Sequence, residues 1–412
     1  ARRRRLVAPT GGGKSLTYQL PASILPGTTL VVSPLISLMQ DQVEALEAAG
    51  IASTFLASTL ESEELRLRVR GLAQGHYKLA YVAPERLGHP GFLSLLGSLD
   101  CPLVAIDEAH CISEWGHDFR PDYLQIGAML RALPQARVLA CTATATPEVR
   151  DEILAQLDLG ADTPQHVRGF ARPNLALRAR EVGGAADRRT QVDFQLAEAL
   201  GTPSDARGAA IIYSPTRRMS EEESDRLRAA GWRSGCYHAG LSGPVRERTQ
   251  RAFSDGDLQV VVATNAFGMG IDRADVRAVI HLGPPGSIES YYQEDGRAGR
   301  DGEPACGLLL HSTQDLPRRR RLIEMPGETG GPDEQVVEHK WNLFLELMRW
   351  CEGGSCRHDA IMRYFGAEED VSDNGCGICD ACETIGSEEH DPEQIRLLAQ
   401  KALSAVARVH GR

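Results

Sequence analysis

The stretch Pro9-Thr10-Gly11-Gly12-Gly13-Lys14-Ser15 puts three consecutive glycines before a lysine and a hydroxyl, the composition of a phosphate-binding loop. Glycines let backbone N–H groups approach phosphate oxygens, and a following helix adds its positive end. Lys14 then reaches the terminal phosphates and Ser15 holds Mg²⁺. The candidate nucleotide contacts are therefore Thr10, Gly11, Gly12, Gly13, Lys14 and Ser15. The strict pattern has glycine where Ala8 stands, and a plain glycine turn is the bland alternative. Asp107 and Glu108 follow four apolar residues, Leu103-Val104-Ala105-Ile106, a setting poorly explained as solvated surface. Asp107 is the candidate second Mg²⁺ ligand, and Glu108 the candidate to orient or deprotonate an attacking water.

Directly after this pair, Trp115, His117, Phe119, Arg120 and Tyr123 crowd into a stretch whose neighbours, Gly116, Asp118 and Pro121, are loop formers. Core packing is the default for aromatics. In a loop beside an arginine, exposed stacking on nucleic-acid bases is the sharper expectation for Trp115, Phe119 and Tyr123. Farther on, Arg297 and Arg300 are three apart, which puts both on one face if the stretch is helical. Both then reach across a cleft toward a γ-phosphate, against the alternative of a salt-bridged surface helix. Cys356, Cys376, Cys379 and Cys382 form C-x19-C-x2-C-x2-C, a tetrahedral Zn²⁺ set of the closed, structural kind. Cys351 and His358 are alternatives to Cys356 as the remote ligand.

These groups need a scaffold. Short apolar runs alternate with amphipathic stretches over the first half, at Arg5 to Ala8, Thr29 to Ser33, Leu79 to Ala83, Leu103 to Asp107 and Val138 to Thr142. The alternation restarts at Ala209 to Tyr213 and continues through Gly235 to Tyr237, Gln259 to Ala263, Ala278 to Leu282 and Cys306 to Leu310. The fold expected is α/β, with two parallel-sheet lobes followed by a helical zinc-binding subdomain. The boundaries expected are 1–163, 164–325 and 326–390, with 391–412 beginning a further domain. The segment Pro164 to Asp205 is weakly patterned and is expected to include the crossover to the second lobe. Function is expected at the carboxyl ends of the strands and in the cleft between the lobes.

At 412 residues the chain exceeds one ordinary core. No apolar run approaches a membrane span and no secretory signal precedes the first motif, so a soluble intracellular protein without membrane contact is expected. The six scattered cysteines fit a reducing compartment. A net charge of −11 argues against a uniformly basic nucleic-acid binder, but a motor needs only a local basic track.

Together these residues resemble the RecQ family of superfamily 2 helicases. The motifs are the phosphate loop continuing as Leu16-Thr17-Tyr18-Gln19-Leu20-Pro21, the Asp107-Glu108-Ala109-His110 box with its aromatic loop, Tyr237 to Leu241, Ala263 to Asp272, and the Arg297–Arg300 motif. The resemblance implies two RecA-like lobes, a zinc subdomain and ATP-driven 3′ to 5′ translocation on single-stranded DNA, with unwinding of duplex, in recombination and repair. It assigns Arg300 as arginine finger with Arg297 beside it, and Gly270 and Asp272 to an inter-lobe motif near the nucleotide. Ser33, Pro34, Arg86 and Thr264 line the DNA track, and Trp115, His117, Phe119 and Arg120 form a coupling loop. Implied partners are single-stranded and forked DNA and a single-strand-binding protein; the implied location is the bacterial cytosol, on the nucleoid. The family's upstream adenine-holding motif has no room before Ala1-Arg2-Arg3-Arg4-Arg5, its winged-helix domain is expected only as a first helix, and Glu114 stands where glutamine is more common. A strand-holding module without turnover and an RNA helicase are the competing readings.

Overall fold

The computed structural model describes residues 4–7, 13–116, 118–160, 162–167, 169–268, 273–325 and 333–387, with 396, 397, 399–401, 403 and 404 near the end. Of the expected site residues, Thr10, Gly11, Gly12, His117, Gly270 and Asp272 lie outside the described residues, as does most of 391–412.

The first sheet comprises β1 (Arg4–Val7), β2 (Thr29–Val32), β3 (Ser53–Leu56), β4 (Leu79–Val82), β5 (Leu103–Ile106), β6 (Arg137–Thr142) and β7 (Gln165–Val167). Its order is β3-β4-β2-β5-β6-β1-β7, with every pairing parallel. Short strands of continuous apolar residues, such as β2 and β5, are buried along their whole length because helices cover both faces. Those helices are α1 (Leu16–Ile24), α2 (Ile36–Ala48), α3 (Ser62–Ala73), α4 (Pro90–Leu96), α5 (Ile126–Ala132) and α6 (Pro147–Gln156). In α2 the spacing Met39, Val43, Leu46 turns one stripe to the core. The start of α6 is set by Thr146, whose hydroxyl accepts the Val149 N–H at 3.4 Å, followed by Pro147 in the first turn.

The second sheet contains β8 (Leu175–Glu181), β11 (Ala209–Tyr213), β12 (Ser234–Tyr237), β13 (Val260–Ala263), β14 (Val276–His281) and β15 (Ala305–His311); a small antiparallel hairpin, β9 (Gly201–Thr202) and β10 (Asp205–Ala206), precedes β11. The order is β12-β13-β11-β14-β15-β8, again parallel throughout. Its helices are α7 (Ala185–Leu200), α8 (Arg217–Ala229), α9 (Gly243–Ser254) and α10 (Ile288–Asp295). A helical region follows, with α11 (Asp315–Glu324), α12 (Glu334–Glu352), α13 (Arg357–Tyr364) and α14 (Asp380–Ser387).

The first sheet does not end at residue 163, because β7 pairs with β1 through Leu6 and His166. The segment Pro164 to Asp205 includes the crossover, between β7 of the first sheet and β8 of the second, and it also supplies the four-turn helix α7. The helical region packs on both lobes. Phe365 stacks on Phe170 with centroids 4.7 Å apart, and its carbonyl accepts Arg150 Nη2 from α6 at 3.1 Å.

Candidate nucleotide and nucleic-acid site

Because β1, β5 and β6 run parallel, the carboxyl end of β1 and the acidic pair after β5 lie at the same edge of the sheet. Gly13 has φ +72°, a conformation that favours glycine, and it turns the chain into α1. Lys14 and Ser15 occupy that turn, half-buried. Asp107 is only 7% exposed, its N–H bonded to Val32 O at 2.8 Å and its Oδ1 accepting the Glu108 N–H at 3.0 Å. Burial, and next the Glu108 charge, push its carboxyl up to about 7, against the pull of the nearby Lys14 ammonium. A buried acid held this reluctantly ionised fits a divalent cation, whose charge restores the carboxylate. Glu108 has φ +45°, where an L-residue is strained by roughly 1–2 kcal/mol. Its Oε2 lies 3.4 Å from His110 Nδ1 and has no hydrogen-bond partner among the described residues.

The loop after the acidic pair folds back over it. Arg120 N–H bonds Cys111 O at 2.9 Å, and a Cβ on Gly116 would sit 2.8 Å from His110 O, so only glycine permits that approach. Trp115 is 53% exposed and Phe119 half-buried. Both line a cleft of about 1300 Å³ whose opposite walls include Thr264 and Ser287 of the second lobe and Arg318, Arg319 and Lys340 of the helical region. Arg120 does not line it; its Nη1 bonds Pro34 O at 3.0 Å, and Ser33 beside Pro34 is buried. Arg86 is half-buried in the short 3₁₀ turn Pro84–Gly88. Tyr123 is not a stacking platform. It is wholly buried and donates from its hydroxyl to Asp107 O at 2.9 Å, so it is a prop beneath the acidic pair.

The two arginines also differ from expectation. Helix α10 stops at Asp295, and Gly299 with φ +60° helps turn the chain directly after it. Arg297 is 5% exposed, beside the Tyr213 hydroxyl and Gly268. Arg300 is half-buried in the same turn. Two groups of the cleft escape the sequence reading. Arg319, whose guanidinium burial pushes its pKa down, presses against Gly286, where a Cβ would meet Nη2 at 2.4 Å. His339 of α12 donates from Nε2 to Trp115 O at 3.0 Å and sets its ring edge-on to the indole. The basic run from Arg318 hinted at the first; no local signal gives the second.

The Sγ atoms of Cys356, Cys376, Cys379 and Cys382 all lie within 4.8 Å of one another, and Cys351 and His358 are not in that group. Cys376 Sγ is 3.9 Å from Cys382 Sγ, close to the roughly 3.8 Å edge of a tetrahedron with 2.3 Å Zn–S bonds. Gly375, φ +72°, clears the space, since a Cβ there would meet Cys382 Sγ at 2.7 Å. Asp380 ties the centre to the second lobe, accepting Ala179 N–H at 2.8 Å and Arg357 Nε at 2.9 Å. Asp380→Ala leaves the buried Arg357 guanidinium without its carboxylate. It is expected to cost about 3 kcal/mol in urea unfolding, and a loss under about 0.5 kcal/mol would count the pair as a surface one.

Residues 3–153 match the DEAD/DEAH box helicase family, 194–302 the helicase conserved C-terminal domain, and 313–383 the RecQ zinc-binding family. The ATP-dependent DNA helicase RecQ of Bacillus subtilis is 42% identical over 407 residues, covering 98% of this chain and 65% of that protein. RecQ of Haemophilus influenzae is 40% identical over 375 residues, covering 91% of this chain and 58% of its own length. The chain thus spans 65% or less of these relatives. Among solved structures, helicase Lhr of Mycobacterium smegmatis bound to single-stranded DNA and AMP-PNP has a TM-score of 0.56 at 20% identity, covering 88% of this chain and 51% of that one. Dbp5 of S. cerevisiae bound to RNA and ADP BeF3 gives 0.58 at 17%, covering 90% and 85%; both show the shared fold alone. The four-cysteine cluster is a Zn²⁺ site of the matched zinc-binding type, and the helicase match supports ATP with Mg²⁺ at the phosphate loop. Among the described residues no helix is long and apolar enough to cross a membrane. With all three families matched in chain order and 40–42% identity to RecQ helicases over more than nine-tenths of its length, the chain belongs to the RecQ family of superfamily 2 helicases.

Proposed function

We propose that the chain is an ATP-driven DNA helicase that moves 3′ to 5′ on single-stranded DNA and opens forked duplex, in recombination and repair. The observation that carries this reading is the loop after β5: its first two residues are the acidic pair, and its exposed Trp115 and half-buried Phe119 line the cleft of about 1300 Å³, with Gly116 folded onto His110 between them. In this reading Lys14, Ser15 and Gly13, with Thr10, Gly11 and Gly12, hold the nucleotide phosphates. Ser15 and Asp107 hold Mg²⁺, and Glu108 takes the proton of the attacking water. Arg300 and Arg297 act from the second lobe, with Gly270 and Asp272, when the lobes close. Ser33, Pro34, Arg86 and Thr264 belong to the strand's track, and Trp115, His117, Phe119 and Arg120 sense it. The first lobe runs through Val167 and the second from Leu175. A single-strand-binding protein as partner rests on the family alone.

Arg120 joins the sensing loop to Pro34, so movement of the aromatics reaches the strand track and the acidic pair together. Trp115→Ala and Phe119→Ala are expected to keep basal hydrolysis and lower affinity for single-stranded DNA about ten- to hundredfold, the worth of a stacked base. Steady-state ATPase against an oligonucleotide titration reads this out. Half-saturation unchanged in both variants would return those rings to packing roles.

A further inference from the structure

Between the acidic pair and the aromatics lies a second constellation of metal-ligating atoms, distinct from the four cysteines. His110, Cys111 and Asp118 each place a ligand atom within 4.8 Å of the other two. Cys111 Sγ is 3.8 Å from His110 Nε2 and 3.7 Å from Asp118 Oδ2. Tetrahedral Zn²⁺, with bonds of about 2.0–2.3 Å to nitrogen, oxygen and sulfur, separates its ligand atoms by roughly 3.3–3.8 Å. Both sides of the triangle that meet at the Cys111 sulfur therefore already have the required length.

The imidazole is held in place: its Nδ1 lies 2.8 Å from Thr142 Oγ1, which is itself 3.2 Å from Thr144 O, and its Nε2 faces the Cys111 sulfur. A metal at Nε2 would need the proton on Nδ1, where Thr142 Oγ1 is placed to accept it. Glu108 Oε2, 3.4 Å from Nδ1, adds the carboxylate that commonly backs a metal-bound histidine. His110 and Cys111 are buried, whereas the Asp118 side chain is 36% exposed and lines the cleft, which gives an ion a way in from solvent.

We propose that His110 Nε2, Cys111 Sγ and an Asp118 carboxylate oxygen form a second site, for a thiophilic divalent cation such as Zn²⁺, that uncouples the sensing loop from the acidic pair. On binding, the Cys111 thiol proton leaves to solvent and the thiolate takes its place on the ion. Arg120 Nε and Nη2 hold Asp118 Oδ2 at 3.3 and 3.2 Å while Nη1 holds Pro34 O. An ion on Asp118 competes for that oxygen, loosens the Arg120 link to the strand track, and pins the loop to His110. The uncoupling rests on the proposed function; the metal count does not.

The test uses the whole chain with its four-cysteine site filled by zinc, titrated with Co²⁺. Wild type is expected to take up about one further Co²⁺ with a thiolate-to-cobalt charge-transfer band. Cys111→Ala is expected to lose both, and Asp118→Asn to weaken uptake at least about tenfold. No band in wild type, or the same band in Cys111→Ala, overturns the site. Should Cys111→Ala fail to fold, Asp118→Asn decides: undiminished uptake there overturns it. Zn²⁺ added beyond the structural ion is then expected to reduce DNA stimulation of ATP hydrolysis in wild type and not in Cys111→Ala; equal inhibition of both overturns the uncoupling. A wild type with no DNA stimulation at all contradicts the helicase reading and leaves the cobalt result to judge the site.

Discussion

Lys14→Ala is expected to lower ATP turnover about 10²- to 10³-fold, the usual effect of removing one electrostatic contact to a transferring phosphoryl group, while DNA binding stays measurable. In the proposed reading the lysine has two tasks: from the turn that Gly13 makes it would reach the phosphates, and its charge opposes the burial and the Glu108 repulsion that push Asp107 up to about 7. Removing it therefore takes away a phosphate contact and makes the Asp107 carboxylate harder to ionise. Steady-state ATPase at saturating ATP, with DNA binding by fluorescence anisotropy as control, reads the outcome; unchanged turnover would remove the phosphate loop from catalysis.

The second large effect concerns the zinc centre. Cys379→Ala is expected to release zinc to a weak chelator and to lower stability by several kcal/mol, because metal binding contributes folding free energy. Cys379 is fully buried, and its sulfur accepts the N–H groups of Arg357 and Cys382, each at 3.4 Å. Its loss unties α13 and α14 from each other and, through Asp380, from β8. Zinc by mass spectrometry and thermal unfolding are to be measured together. A well-folded variant that retains its full structural zinc contradicts the ligand assignment.

Features carried by contiguous residues were legible in the sequence. The acids after four apolar residues close a buried strand, the C-x2-C-x2-C spacing gathers its thiols by a local geometry that the chain alone imposes, and Cys356 proved the remote thiol of the cluster. Tyr123 misled because burial is decided by what the loop folds onto, here the backbone of Asp107. For Arg297 and Arg300 the shared face was conditional on a helix, and α10 ends before them. The strand β8 was hidden by its charges: Leu175 and Leu177 are buried, but Arg178 and Arg180 alternate with Ala179 toward its exposed end. Arg319 and His339 meet the cleft only because α11 and α12 pack across it, a relation between distant segments that no local pattern encodes.

The acidic pair and the aromatic cleft belong to one continuous loop, and the central claim is that this loop makes hydrolysis depend on the strand. The most direct measurement is the rate of ATP hydrolysis by this chain across a titration of single-stranded DNA, for wild type and Trp115→Ala. Saturable stimulation in wild type, shifted to about ten- to hundredfold higher DNA concentration in the variant, is the predicted result. Hydrolysis that is indifferent to DNA at saturating ATP would contradict it and leave a module that holds strands without moving along them.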